Sequence, residues 1–351
     1  MRFIQSLSNT KKILFFLVLP ALAIFAGSMF VITLSHLHVE DKTLDLPDTF
    51  DEQPPVVSPA ETVMTALSAA YPEWISHAEF REPPGDLPPY VEGQGDWAFQ
   101  IRGRWFYYAE GRILPEELRA QASEYRAMGF NRNYPPELSS WESTVEQRAA
   151  RTRNMEENRG SRQSATQPTR RNDGISQRFF FEALWNISNR DDAVKQMAEM
   201  EFLGQTVKVH SGISNVLRLV EGVILNESKT SPSVRQWIDS LGTVQGWNWR
   251  NVANSGSRSF HSYGIAIDIL PKNLGGLETY WLWASRNNPQ WRDIPYSRRY
   301  HPPDEVIKAF ESFGFIWGGK WPNFDTMHFE YHPEVFIFSN IPILDFRTGL
   351  P

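Results

Sequence analysis

Two histidines and two aspartates carry the chemistry this sequence offers. In "SFHSYGIAIDIL", Ser259 to Leu270, His261 precedes an apolar run with a carboxylate, Asp268, inside it. On the period of two of a strand, Gly264, Ala266 and Asp268 share one face, and Ile265, Ile267 and Ile269 share the other. The isoleucines make a core face, while the opposite face sets two minimal side chains beside a carboxylate and leaves space above it. A bend at Ser262 to Gly264 would turn His261 toward the same space. Far downstream, "WGGKWPNFDTMHFEYH" puts Asp325 three residues before His328, which opens a second strand. A His, an Asp and a second His give three N/O ligands with one coordination position open, the usual layout of a catalytic zinc site. Zinc so held lowers the pKa of its water toward about 7 and polarises a carbonyl oxygen. Asp325 is then spaced to take the water's proton and pass it to a leaving amine. Singly, each residue also has a structural reading, as a hydrogen-bonded strand Asp or a core His; the combined spacing is far more specific.

The pattern Ser-x-His-x-x-Gly-x-Ala-x-Asp (Ser259, His261, Gly264, Ala266, Asp268), followed by Asp-x-x-His-Phe (Asp325, His328, Phe329), resembles the D-alanyl-D-alanine carboxypeptidase family of zinc peptidases. That family groups with lysostaphin-type and hedgehog-type domains, and the resemblance spans roughly residues 200 to 335. It implies Zn2+ on His261, Asp268 and His328, with Asp325 as catalytic base. Relatives hold substrate and oxyanion with an upstream Arg, for which Arg250 is the best match and Arg258 a second candidate. Ser259 either contacts substrate or caps a turn. Some relatives carry Glu as the base; Glu330 is the second candidate here, and His332 on the same strand face is a candidate partner to a ligand. His210 is read as structural, and His36, His38 and His77 as unrelated to the site. The resemblance implies hydrolysis of peptidoglycan stem peptides, as a D,D-carboxypeptidase or endopeptidase. A non-catalytic cell-wall-binding domain that keeps the zinc fold is the alternative. A His-Asp-His non-haem iron enzyme is disfavoured by the pairing of a base with a ligand in Asp-x-x-His.

Composition narrows the rest. The 351 residues hold no cysteine, which excludes disulfides and every Cys-based ligand or nucleophile. A net charge of −6 argues against a nucleic-acid partner. Residues 13–34 run without a charge after Lys11 and Lys12, long enough to span a bilayer. The expectation is an uncleaved single-pass anchor in the cytoplasmic membrane, with residues 1–12 cytoplasmic and the catalytic part outside, in the periplasm or on the cell-wall side. An acidic, Pro-containing tether covers 35–60.

The positioning elements fall into two regions. Residues 61–144 read as a small α+β region of unknown role: a helix in "TVMTALSAAY", a hairpin in "WAFQIRGRWFYYAEGRILP" and a helix in "LPEELRAQASEYRAMG". Residues 145–176, rich in Arg, Asn, Gln and Ser, read as a disordered polar linker. Residues 177–351 form the expected zinc peptidase domain. Helices are read in "FFFEALWN", "DDAVKQMAEMEFLG", "SGISNVLRLVEGVILNES", "PSVRQWIDSL" and "PPDEVIKAFESFG", and strands in "QTVKVH", "GIAIDIL" and "DTMHFEYH". No regular βαβ repeat appears, so the class is α+β: a small antiparallel sheet flanked by helices, with the zinc site on the sheet. In the insert 274–303, Trp281 and Trp283 are assigned to the core, and Trp291, Arg298 and Arg299 to the surface.

Overall fold

The structure, a computed structural model, describes residues 59–81, 96–109, 111–125, 134, 175–252, 257–321 and 323–344. The chain enters with helix α1 (Pro59–Ala70), whose Met64 and Leu67 lie one turn apart and are buried. Strands β1 (Glu79–Arg81), β2 (Asp96–Ile101), β3 (Arg104–Ala109) and β4 (Arg112–Pro115) follow in a sheet ordered as in the sequence. The β2–β3 hairpin closes on Arg102 and Gly103, both at positive φ, the backbone a tight two-residue turn needs. The helix expected next is a 3-10 segment, Glu116–Glu124, kinked where Gln121 leaves helical geometry.

Helix α2 (Ile175–Trp185) brings in Phe180, Leu184 and Trp185, and α3 (Arg190–Gln196) starts on Asn189, whose side chain accepts from the Asp191 and Asp192 amides. The helix expected over "DDAVKQMAEMEFLG" then gives way to strand β5 (Met197–Phe202), paired with β6 (Gln205–His210). Met200 and Phe202 go inward while Glu199 and Glu201 stay exposed. That alternation, and positive φ at Leu203 and Gly204, make a hairpin the better solution.

Helices α4 (Ser211–Glu227) and α5 (Pro232–Ser240) precede the second sheet. Its strands are β7 (Leu241–Gln245), β8 (Ala266–Pro271), β9 (Phe315–Trp317) and β10 (His328–Tyr331), ordered β7-β8-β10-β9 and antiparallel throughout. Helix α6 (Trp281–Asn287) lies between β8 and β9, α7 (Asp304–Ser312) packs on α4, and α8 (Pro333–Phe338) ends the described fold. The inner face of the sheet buries Ile267, Ile269 and Phe329, with Phe329 stacked on Phe310 of α7 at 4.0 Å. Each such side chain contributes about 1.5–3 kcal/mol by leaving water. One buried apolar cluster runs from Met64 and Tyr71 through Trp185 to Ile267 and Phe329.

Two expectations are corrected. The α+β class and the antiparallel sheet with flanking helices are present, but among the described residues no helix is long and apolar enough to cross a membrane. The longest described helix, α4, carries Arg218, Glu221 and Glu227 and buries only one face. Residues 1–12, the expected span 13–34, most of the tether and most of the linker 145–176 lie outside the described residues. Single-pass anchoring, and the membrane placement that followed from it, is not supported. Of the tryptophans of the insert, Trp281 packs on the buried cluster as expected, while Trp283 and Trp291 are reversed. Trp291 is 5% exposed and packs with Phe324, whereas Trp283 is 43% exposed. Arg299 lies over the Phe324 ring and donates to the Ile294 carbonyl, and burial lowers its pKa to about 10.

Candidate metal centre

Strand register brings the two distant motifs together. Asp268 on β8 pairs directly with His328 on β10, and Ala266 pairs with Glu330, so the four residues share the outer face of the sheet. His261 arrives from a short 3-10 turn, Phe260–Tyr263, closed by Gly264 at φ 69°. A side chain on Gly264 would sit 2.5 Å from the Met197 sulfur and 2.7 Å from the His210 amide. The glycine is therefore required by the β5–β6 hairpin behind it, and it does not clear the face above Asp268 as its spacing suggested. Ser259 caps the His261 turn, accepting from the His261 amide at 3.4 Å.

The three donor groups converge. His261 Nε2 lies 3.1 Å from Asp268 Oδ2 and 3.2 Å from His328 Nδ1, and His328 Nδ1 lies 2.7 Å from Asp268 Oδ1. A tetrahedral zinc with bonds of 2.0–2.1 Å sets its donors about 3.3 Å apart, so the residues fit the ion. Each ring is also held in the required tautomer. His261 Nδ1 donates to the Gly246 carbonyl at 2.5 Å and His328 Nε2 to Glu330 Oε1 at 2.9 Å, which leaves Nε2 of one and Nδ1 of the other as lone pairs on the same point. All three are buried and could hold a metal ion. Burial alone would raise the Asp268 carboxyl; the two rings beside it outweigh that and hold it well below the ordinary carboxylate value. Burial disfavours charge on His328, yet Asp268 and Glu330 raise its pKa well above the ordinary imidazole.

Gly246 is a silent member of the site. A methyl there would come within 2.2 Å of the Lys208 carbonyl, which already accepts from the Trp247 amide at 2.6 Å. Only a glycine lets the strand run this close to β6 and present its own carbonyl to His261.

Asp325 sits on the loop leading into β10, tied down by its amide to the Gly318 carbonyl and by its carbonyl to the His328 amide. Its Oδ1 is buried without a hydrogen-bond partner among the described residues. Burial, with Asp268 and Glu330 adding to it, pushes this carboxyl up to about 7 against the pull of His328 and Arg250. Arg250 is exposed, and its backbone is clamped by Ser262, which accepts from the Arg250 amide at 2.9 Å and donates to its carbonyl at 2.7 Å. Arg258 faces α2, bonded to Glu182 Oε1 at 2.9 Å and lying over the Trp249 ring. Glu330 is taken up between His328 and His332. His210 joins β6 to α4, Nε2 on the Trp185 carbonyl and Nδ1 accepting from the Gly212 amide.

Tyr280 was not legible as a site residue. It forms an isolated antiparallel bridge with Asp325, so their side chains leave on the same side. Burial raises the phenol pKa, Asp325 and Asp268 raise it further, and Arg250 opposes them. Nothing in "GLETYWLW" marks it, because its partner lies across the insert.

Three N/O donors with preset lone pairs beside a buried carboxylate define the class, a centre suited to metal-assisted hydrolysis. Residues 253–331, which contain all three donors and Asp325, match the family model described as D-alanyl-D-alanine carboxypeptidase. Residues 63–130 match a model described as a domain of unknown function. No curated protein and no solved structure matches the chain. The first match spans well under half of the chain and supports peptidase activity in general, in a family whose members depend on zinc.

Proposed function

We propose that the chain is a zinc-dependent peptidase that cleaves peptidoglycan stem peptides, as a D,D-carboxypeptidase or endopeptidase. The observation that carries this reading is the convergence of His261 Nε2, Asp268 and His328 Nδ1, with tautomers set by Gly246 and Glu330, together with an Asp325 Oδ1 that is buried with no hydrogen-bond partner among the described residues. Zinc held by His261, Asp268 and His328 would supply Lewis acidity toward a water and the scissile carbonyl. Asp325 takes the proton of the attacking water and returns it to the departing amine. Arg250 offers fixed positive charge to the oxyanion as the carbonyl becomes tetrahedral. Ser259 holds the turn that aims His261, and Glu330 fixes the ring of His328 rather than acting as base. Arg258, occupied by Glu182, is left to the packing of α2.

Digestion of muropeptides followed by mass spectrometry tests the reading. The expected result is loss of D-alanine or a cleaved stem, abolished by a chelator and restored by zinc. Asp325→Asn is expected to keep about one zinc per chain and to lose on the order of 10²–10⁴-fold in rate. No cleavage by a zinc-loaded chain would overturn the substrate, and an undiminished rate in the variant would remove Asp325 as the base.

A further inference from the structure

The buried polar contacts behind His328 continue past Glu330 and leave the peptidase-like segment. His332 Nε2 lies 3.3 Å from Glu330 Oε2, and His332 Nδ1 lies 2.8 Å from Glu334 Oε1. The Tyr71 hydroxyl donates to Glu334 Oε2 at 2.5 Å. His332 Nδ1 donates to Glu334, while its Nε2 faces Glu330 Oε2 across 3.3 Å without hydrogen-bond geometry, so the link between the two halves of the relay is a close polar contact. Glu330 accepts from His328, and Glu334 accepts from His332 on one oxygen and from Tyr71 on the other. All five residues are buried. Two carboxylates and an imidazole are costly to desolvate, and the polar contacts among them hold their members in one geometry.

The placement follows from the local fold. His328 and Glu330 keep the period of two along β10, His332 follows the strand's last residue as the cap of α8, and Pro333 starts that helix so that Glu334 falls in its first turn. His332 is packed edge-on by Phe260 of the His261 turn and by Phe181 of α2. Tyr71, just beyond α1, is set among Trp74, Phe180, Trp185 and Tyr331. It lies within the stretch that matches the domain of unknown function, and α1 packs on α8.

We propose that Tyr71 is a positioning residue for the metal centre: through Glu334, His332 and Glu330 it fixes the ring of His328, so the region around residues 63–130 sets the zinc affinity of the neighbouring segment. This rests on the zinc reading of His261, Asp268 and His328. The relay gives a role to the buried phenol–carboxylate contact that joins Tyr71 to Glu334.

The test is zinc affinity of the full chain, measured by competition with a chromogenic chelator. Tyr71→Phe keeps the aromatic packing and removes one hydroxyl, and is expected to weaken zinc binding about threefold to tenfold, below the 10–100-fold typical of a group bonded directly to a ligand. Glu334→Gln should weaken it at least as much. Tyr300→Phe is the control, since it also removes a buried hydroxyl, one that accepts from the Trp237 indole at 2.9 Å away from the relay. An affinity within twofold of the parent chain in both relay variants overturns the proposal, as does an equal loss in Tyr300→Phe, which would mark a general softening of the fold. A parent chain that takes up no zinc overturns the peptidase reading itself and this inference with it.

Discussion

The sheet of β1 to β4 and the sheet of β7 to β10 are built alike, four antiparallel strands each among the described residues, and both bury charge beside apolar side chains. In the first, the charges close on one another: Arg119 Nε donates to Asp96 at 2.5 Å, and Arg112 Nε donates to the Tyr125 carbonyl at 2.6 Å. In the second, His261, Asp268 and His328 turn their lone pairs to one point, and Asp325, on the loop before β10, adds a buried carboxylate oxygen with no hydrogen-bond partner among the described residues. Buried charge by itself therefore separates nothing. Convergence of acceptors without enough protons to satisfy them is what marks a place for a cation, whereas a matched donor and acceptor mark a structural pair.

The comparison can be broken at its strongest point first. Asp268→Ala in the second sheet is expected to take bound zinc from about one per chain to a trace, with hydrolysis lost at the same time; atomic absorption on the purified chain checks it. Arg119→Leu in the first sheet should leave Asp96 without its guanidinium and cost about 3 kcal/mol of folding stability. Denaturant unfolding measures that cost, and zinc per chain should stay at the parent value. A variant that lost both would show that the two sheets are not distinct in role.

His210 sharpens the contrast through pH. Burial lowers its pKa from 6.5 to about 4, opposed by the Trp185 carbonyl, and its Nδ1 must stay unprotonated to cap α4. Above the unfolded value of 6.5 the ring is neutral in both states and its full contribution is present. As pH falls from 6.5 toward 4, the unfolded chain takes up a proton that the folded chain refuses, so about 3 kcal/mol is lost by pH 4. Unfolding measured at both ends of that window should show the slope, and His210→Asn should flatten it. A smaller effect is expected for Glu330→Gln, which keeps one acceptor on His328 Nε2 and should weaken zinc on the order of tenfold, at the low end for such partners. Chelator competition reads it.

Much of the centre could be read from residue types and spacing. The period of two in "GIAIDIL" put Asp268 opposite the isoleucines, and β8 is built that way. The Asp-x-x-His spacing placed Asp325 on the loop before β10. What could not be read is whatever depends on pairing across long sequence separations. The register of Asp268 with His328 and the bridge of Tyr280 with Asp325 are set by strands and loops meeting in space. "MAEMEF" misled because Glu and Met favour helices in isolation, and the turn at Leu203 and Gly204 overrides that preference. Trp291 and Trp283 exchanged places because the insert docks on Phe324 through its later tryptophan.

Gly246 has a consequence for genetics. It bears no side chain, yet any substitution there must push away the Lys208 carbonyl and carry off the acceptor that orients His261. A mutational screen scored on turnover would rank this glycine with the metal ligands, and one scored on protein abundance would pass over it if the hairpin yields. The difference between the two scores, position by position, would trace the outline of the centre without a substrate analogue or an inhibitor.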